Sequence, residues 1–473
     1  MALLRFAGLI SLCLLLLWQP VLVVESSSAQ ELREESALET STRLQQQIAL
    51  FDEQIIALES EFGPFHQALL EPLQGLTDLH IEAGDFEEVS GLLNRRLQLL
   101  HTLEGPSTLN QITVLTELIS NDIRLQRWGS VTDRFELIHL LHTQNPEVDA
   151  TTRLASLEEL RTWHQAAVYA DEPRRRVTHF LESREIQKDI ISRAEREFGE
   201  NGVELIPWLY GYAVDQHRIK AFLSSTDELG HAARRDIARR EARGQISYLR
   251  EGFNVVERIQ EIVETLDNPE AEAMAKLYVA DFQLLMREYS NSSFGGRVAT
   301  RSRGNSASTY RDAMEMLQEA GIDQAKIDAF FQRPVVLPIS EYYLSLDAAM
   351  AQQTTTGYAV NTKEQEGENR VITVHMGDFI AWNESLPFAH RPAMPELIEP
   401  LNEELISVSL QFTIDSVGKS RTPRAQEAVP DTVRARRDAQ DAIRDMQFRP
   451  SYVNGRWREI RDVTMRYRYP PPQ

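Results

Sequence analysis

The sequence is almost without cysteine. Of its 473 residues only Cys13 is a cysteine, and it lies inside an apolar run close to the N terminus. If that run is removed on export, the remaining chain has no thiol. Disulfide frameworks, thiol catalysis and zinc sites with cysteine ligands are then excluded together. A chain of this length must be stabilised by an ordinary hydrophobic core, for which its 42% apolar content is sufficient.

Positive charge is outnumbered by negative charge, with 50 Lys and Arg against 71 Asp and Glu. The formal net charge is -21, and a strongly acidic chain repels the phosphates of nucleic acid. The charge is uneven, because residues 405–473 carry 13 Lys and Arg against 8 Asp and Glu, a net of +5. The first 404 residues therefore carry -26. The basic C-terminal region is predicted to pair with the acidic body of its own chain or to form a solvated face, in preference to binding an acidic partner or a lipid surface.

Long apolar runs are confined to the N terminus. Residues 6–24 are almost entirely apolar, follow the basic Arg5, and are succeeded by small residues that end at Ala29. This is the pattern of a secretory signal peptide, and it predicts cleavage between Ala29 and Gln30. The mature protein would then be periplasmic. The alternative is an uncleaved helix that holds the chain in the inner membrane, since a largely apolar run of nineteen residues nearly spans a bilayer.

Signatures of catalysis are missing as well. Gly295-Gly296 is not followed by the Gly-Lys-Ser or Gly-Lys-Thr of a phosphate-binding loop. His139 and His142 lie one helical turn apart, but no acidic ligand is spaced to complete a metal site, so helix packing is the better interpretation. We predict no catalytic, cofactor-binding or metal residues and expect a protein that is not an enzyme. We interpret three tryptophans as packing between helices: Trp128, Trp163 and Trp208.

What the sequence does contain, from residue 30 to 335, is a repeated helical pattern. Gly63-Pro64 recurs as Gly105-Pro106 after 42 residues, and Asn145-Pro146 follows after another 40. Each interval holds two runs of apolar residues at helical spacing around a turn, and Phe86 of the first corresponds to Trp128 of the second. The pattern resembles tetratricopeptide repeats. It predicts a mainly α body of helix pairs that bury their apolar faces on neighbours and bind protein partners.

Residues 336–404 are predicted to be a linker with short strands. Val371, Thr373 and His375 alternate with apolar neighbours, which predicts one strand near Asp378. Four prolines then follow between residues 387 and 400, a spacing typical of linkers.

From residue 405 the apolar period changes to two. Residues 406–414 alternate as a half-buried strand, residues 420–429 return as a second strand, and a helix begins with Asp431 as its N-cap. A last strand alternates Val463, Met465, Tyr467 and Tyr469 with polar residues. The predicted order is β-β-α-β, a small α+β domain that covers residues 405–473.

This domain resembles the TonB C-terminal family. The residues that carry the resemblance are Phe412-Thr413-Ile414-Asp415 with Gly418, Ala439, Ala442-Ile443, Phe448-Arg449-Pro450 and Asn454-Gly455. The resemblance implies a periplasmic domain that binds a segment of an outer-membrane receptor by strand addition at the edge of its sheet. We expect that edge in the last strand, at Thr464, Arg466, Tyr467, Arg468 and Tyr469. Arg466 and Arg468 either contact a partner or guard the edge against aggregation.

Two functions follow from these patterns. The first is a non-catalytic periplasmic protein that binds envelope partners through the repeat surface and through strand addition. The second is a TonB-type energy transducer for outer-membrane transport, held by an uncleaved N-terminal anchor. The position of a Pro-rich rod is occupied here by the helical body, so the sequence favours the first function.

Overall fold

A computed structural model of the chain describes residues 20–225, 245–290, 306–355, 358–363, 371–381, 405–453 and 455–471. This part of the chain is mainly helical and divides into two compact units, residues 1–134 and 135–473. The helices are α1 (Pro20–Phe62), α2 (Leu70–Ala83), α3 (Phe86–Glu104), α4 (Gln111–Arg124), α5 (Trp128–Gln144), α6 (Ala150–Ala170), α7 (Arg176–Phe198), α8 (Ile206–Ser225), α9 (Gln245–Glu264), α10 (Pro269–Ser290), α11 (Ser306–Glu319), α12 (Gln324–Phe331), α13 (Leu346–Thr355) and α14 (Val433–Asp445).

The strands lie towards the C terminus. They are β1 (Val336–Leu337), β2 (Tyr358–Lys363), β3 (Val371–Ile380), β4 (Ile406–Ile414), β5 (Ser420–Val429), β6 (Gln447–Phe448), β7 (Ser451–Val453), β8 (Arg456–Arg458) and β9 (Ile460–Tyr469). Within the described residues, none of the helices is both long and apolar enough to cross a bilayer.

The predicted helix pairs are confirmed. Gly63 ends α1 and Gly105 ends α3. Their φ angles of 88° and 95° are ones that residues other than glycine rarely adopt. The proline after each glycine prevents the helix from continuing. In the first unit α1 packs on α2, α2 on α3 and α3 on α4. Their shared core consists of one α1 residue, Ile55, and of apolar residues that follow α1: Leu69, Leu73, Leu76, Leu92 and Leu99.

The second unit continues the same arrangement. α6 packs on α7, α8 on α9 and α10 on α11, and neighbouring pairs are joined through contacts of α7 with α8 and of α9 with α10. Asp149 begins α6 as a side-chain cap, since its carboxylate accepts a hydrogen bond from the backbone N–H of Thr152 at 2.8 Å. Each pair thus buries an apolar face on the next, as helical repeats require.

The C-terminal part of the second unit is a five-stranded sheet in the order β2-β3-β9-β4-β5. Its neighbouring strands are antiparallel except for β3 and β9, which are parallel. α14 packs against β4 and β5 on one face. That face is the core of the region, made by alternate residues of the strands and one side of the helix: Val408, Leu410, Phe412, Ile414, Ala435, Ala439, Ala442, Ile443, Val463, Met465, Tyr467 and Tyr469.

The segment predicted to be a linker is part of this sheet. The strand predicted near Asp378 is confirmed as β3, and β2 pairs with it along six residues. β1 pairs with β6, so residues that precede the sheet in sequence hold the residues that follow α14. The linker prediction for 336–404 is therefore wrong for its described part. The prolines between 387 and 400 lie outside the described residues.

The predicted helix cap is also one residue away from the observed one. Thr432 is the N-cap of α14, and its hydroxyl accepts a hydrogen bond from the N–H of Ala435 at 3.1 Å. Asp431 instead binds the guanidinium of Arg436 through both of its oxygens, at 2.7 and 3.0 Å. Both residue types cap helices, and the competing ion pair decides between them.

The largest correction concerns the predicted sheet edge. β9 is an interior strand, because β4 pairs along one side of it and β3 along the other. Its backbone N–H and C=O groups are therefore used in two ladders and cannot accept an added strand. The alternation was predicted correctly: Tyr467 and Tyr469 are buried, whereas Thr464, Arg466 and Arg468 lie on the other face. The edge prediction is wrong because β3, a strand predicted within the linker segment, pairs with β9.

Candidate functional site

The most strongly built polar site lies where the sheet meets the helices of the second unit. Phe448-Arg449-Pro450, a marker of the predicted domain, follows α14 and carries Arg449 into the interior. The Arg449 guanidinium binds the Asp281 carboxylate of α10 in a bidentate pair, with Nε–Oδ1 at 2.9 Å and Nη2–Oδ2 at 2.5 Å. Both side chains are only 2% exposed. A bidentate pair of this kind fixes the orientation of both groups.

The surroundings of the pair satisfy its remaining groups. The hydroxyl of Tyr310 donates to Oδ1 of Asp281 at 2.6 Å, and the Arg449 guanidinium lies 5.3 Å from the centre of the Phe330 ring. Burial disfavours the charge on Arg449, but the Asp281 carboxylate outweighs it and raises the pKa of the guanidinium. Burial and the same carboxylate raise the pKa of Tyr310 well above its ordinary value. The site is a structural anchor, since both Asp281 oxygens and two of the three Arg449 guanidinium nitrogens bind within it.

A glycine allows the backbone before Arg449 to lie close to the turn between β4 and β5. Gly418, in the turn between β4 and β5, has a φ of 79°, and a Cβ atom there would lie 1.9 Å from the carbonyl oxygen of Phe448. The N–H of Phe448 donates to the Gly418 carbonyl at 2.9 Å. Gly418 therefore has a physical role, which is to let the backbone before Arg449 pass close to the turn.

A cavity of about 220 Å³ adjoins the anchor. Its walls come from α8, α10, α12, α13, the segment 335–343, and the inner face of β3 and β9. Most of the lining is apolar and includes the flexible side chains of Met274, Met376 and Met465 beside Phe330 and Phe379. Its charged residues are Arg218, Arg449, Glu341 and Asp378.

Arg218 belongs to a buried network on α6 and α8. Asp215 accepts from Arg161, from the amide of Gln165 at 3.2 Å and from Nη1 of Arg218 at 3.3 Å. Arg161 also binds Glu158. The single carboxylate of Asp215 is thus shared by two guanidinium groups, and Arg218 holds the longer contact with it.

A second buried polar chain links α6 and α7. Nδ1 of His164 lies 2.9 Å from Nδ1 of His179, and Nε2 of His179 lies 2.8 Å from Oδ2 of Asp171. Burial, with smaller contributions from His179 and Arg175, lowers the pKa of His164 to about 4. The order carboxylate, imidazole, imidazole is that of a proton relay, but all three side chains are buried in the interface between the helices. This series of hydrogen-bonded side chains holds α6 and α7 together.

The two edges of the sheet differ. On β5, Pro423 has no N–H to donate, and Thr422 has a φ of 47° beside breaks in the pairing register. Arg436 of α14 donates to the Ala425 carbonyl of β5 at 2.9 Å. These features close the β5 edge. The opposite edge is β2, which pairs with β3 along one side and, among the described strands, has none along the other.

The remaining predicted residues are distributed as follows. His139 contacts the hydroxyl of Ser156 at 2.9 Å, as helix packing predicts. Trp163 is buried against Phe135, whereas Trp128 and Trp208 are half-buried. Ala29 and Gln30 lie within α1, and residues 1–19 of the predicted signal peptide lie outside the described residues. In the described part of the chain, no three His, Cys, Asp or Glu side chains are grouped as metal ligands would be.

Sequence reasoning missed Asp281 and Arg218. Asp281 stands in α10 between Ala280 and Phe282, and an acidic residue in such an apolar run is a signal for a buried partner. Its partner, Arg449, is 168 residues away along the chain. No local pattern connects the two residues, so the pair depends on the tertiary structure.

No protein-family model matches the sequence, and no curated protein matches it. Among solved structures, the TPR-like repeats of a kinesin light chain from Podosopora anserina cover 51% of this chain and 98% of their own length, with 14% identity and a TM-score of 0.29. BtubC (BKLC) from P. vanneervenii covers 69% of this chain and 97% of its own, with 14% identity and a TM-score of 0.25. These likenesses are weak, and the fold described above rests on the geometry of this chain alone.

Proposed function

We propose that the chain is a non-catalytic, exported protein of the bacterial cell envelope that binds protein partners. Its helical body supplies a repeat surface, and its TonB-like C-terminal sheet adds a strand from a partner at the β2 edge. The observation that carries the proposal is the difference between the two sheet edges. β5 is closed by Pro423 and by Arg436 on the Ala425 carbonyl, whereas β2 is the terminal strand of the sheet among the described residues.

Strand addition at β2 has a simple physical basis. A terminal strand presents backbone N–H and C=O groups that a partner strand can pair with, and this main-chain pairing supplies affinity without a particular partner sequence. β2 is six residues long, which is ordinary for a strand and sufficient for such pairing. The Arg449–Asp281 anchor holds the sheet on the helices, so a partner bound at β2 is tied to the repeat body.

Site-specific crosslinking tests this proposal. A photoreactive residue would be placed at Val360 in β2 or, as the matched control, at Gln426 in β5, and the full chain would be expressed in the envelope of a Gram-negative host. We expect a discrete crosslinked partner from position 360 and none from position 426. Equal crosslinking at both positions, or crosslinking at 426 alone, contradicts addition at β2.

The export part of the proposal is tested at the N terminus. We expect mature protein that begins at Gln30 and is released by osmotic shock. An intact N terminus retained in the membrane would instead support the energy-transducer alternative, in which an uncleaved anchor holds the chain. N-terminal sequencing of the fractionated protein distinguishes the two.

A further inference from the structure

The cavity beside the Arg449–Asp281 anchor has the features of a ligand site that the proposed function does not use. Its lining combines apolar side chains with one incompletely neutralised cation, Arg218. We propose that this cavity binds an apolar carboxylate, with the carboxylate at Arg218 and the apolar body against the methionine and phenylalanine side chains.

Among the described lining residues, Arg218 is the cation with capacity for a ligand. The other, Arg449, is held by Asp281 through Nε and Nη2. Nη1 of Arg218 lies 3.3 Å from Asp215, beyond the usual range of a charged hydrogen bond, and Asp215 already binds Arg161. Nε of Arg218 is buried and has no hydrogen-bond partner among the described residues. A buried donor without a partner is destabilising, and a bound anion would supply the missing hydrogen bond.

The electrostatic surroundings favour an anion at this position. Lys220, Arg218 and Lys419 all act on the buried His217, and after burial itself these cations are the causes that lower its pKa to about 3. Cations from α8 and from the turn before β5 thus lie near this end of α8, beside the carboxylate of Asp215.

The two acidic lining residues do not oppose this assignment. Glu341 is exposed and accepts the hydroxyl of Tyr343 at 2.7 Å. Asp378 is 41% exposed and faces Arg466 and Arg468 at 3.8 and 3.9 Å. Both carboxylates lie towards solvent, where water screens them, whereas the Arg218 side chain is only 22% exposed.

The size and lining of the cavity indicate the rest of the ligand. A cavity of about 150 Å³ lined by apolar side chains holds benzene, so about 220 Å³ accepts a short alkyl chain or one large apolar side chain. Three methionines allow the walls to adapt to either shape. Two sources share this chemistry, a free fatty acid and the C-terminal residue of a peptide.

Calorimetric titration of the full chain tests the proposal with octanoate as the probe and 1-octanol as its neutral match. We expect octanoate to bind at least tenfold more tightly, since a charged hydrogen bond contributes about 1.5–3 kcal/mol and 1.4 kcal/mol is tenfold. Arg218→Gln should abolish the difference and Arg218→Lys should retain part of it. Arg196→Gln, at an exposed position on α7, should leave it unchanged.

A pair of neighbouring residues on α13 gives a steric control. Ala349 lines the cavity and Ala348 is exposed. Ala349→Phe should remove octanoate binding, whereas Ala348→Phe should not, with thermal unfolding used to verify that both variants are folded. Absence of octanoate binding at millimolar concentration, equal affinity for octanol, or unchanged binding by Ala349→Phe would each overturn the proposal.

A peptide arm identifies the source of the carboxylate. An acetylated tetrapeptide that ends in leucine is compared with its C-terminal amide. Tighter binding of the free acid than of octanoate supports a partner's C terminus, and tighter binding of octanoate supports a fatty acid. Either result is compatible with the proposed site. The test of this site does not depend on strand addition at β2.

Discussion

Arg449 and Asp281 form a buried ion pair between the sheet and the helical body, and each is 2% exposed. The desolvation of two charges is expensive, so such a pair contributes little net stability relative to apolar residues, but loss of one partner leaves an uncompensated buried charge. The pair therefore contributes mainly to the specificity of the fold. It determines where the residues after α14 attach to the helices.

Because the pair is buried, we expect the loss of one partner to destabilise the protein more than the replacement of both. Asp281→Ala should destabilise the second unit by about 3–5 kcal/mol, because the Arg449 guanidinium loses its counter-ion while it is still buried. The double variant Asp281→Leu with Arg449→Met should recover much of the loss. Urea unfolding measures both. If the single and double variants were equally destabilised, the penalty would not come from the unpaired charge.

The buried histidines predict a dependence on pH. The pKa of His164 is about 4 in the folded chain against 6.5 ordinarily, so below pH 6.5 the unfolded chain binds a proton that the folded chain does not. The contribution of His164 to the free energy of unfolding is therefore fully present above about pH 6.5 and falls as the pH decreases towards 4. The groups that face His164 are His179, Asp171 and Arg175.

We expect the melting temperature to fall between pH 7 and pH 4.5, and the fall to be smaller in His164→Gln. His217, whose pKa burial and nearby cations lower to about 3, adds to the effect in the same direction. His66→Gln, at an exposed position, is the control. A His164→Gln variant with the same pH dependence as the unaltered chain would contradict this assignment.

At the scale of the element, the closed β5 edge depends on a contact from outside the strand. Asp431 positions Arg436, and Arg436 engages the Ala425 carbonyl, so the start of α14 protects the neighbouring strand. An edge strand without such protection pairs with other chains.

Removal of this protection should cause self-association. We expect Pro423→Val combined with Arg436→Ala to form dimers or aggregates at concentrations where the unaltered chain does not. Arg437→Ala is the matched control, because that side chain lies on the same helix and is 80% exposed. Size-exclusion chromatography with light scattering provides the measurement. Unchanged mass in the double variant would show that β5 is closed by other features.

At the scale of the whole molecule, the C-terminal sheet depends on earlier parts of the chain. β3 supplies one of the two neighbours of β9, β1 pairs with β6, and Asp281 neutralises Arg449. Because all three come from residues before 405, we expect residues 405–473 alone to lack cooperative thermal unfolding. A fragment of residues 135–473, which contains them, should unfold cooperatively. Circular dichroism compares the two, and an independently folded 405–473 would contradict this dependence.

Periodicity alone determined much of this protein. The glycine-proline repeat and the helical spacing of leucines predicted the helix pairs, and alternation predicted β4, β5, β9 and the buried faces of their residues. These features are local, because each element must bury an apolar side whatever its neighbours are.

Pairing between distant segments is different. Only the tertiary structure showed that β3 lies beside β9, that Arg449 meets Asp281, and that Arg218 lines a cavity. The sequence predicted a strand with an open edge, and the packing of a segment about 90 residues earlier made that strand the centre of the sheet. Local patterns specify which face of a strand is buried, but the contacts that assign its neighbours come from parts of the chain that no local pattern connects.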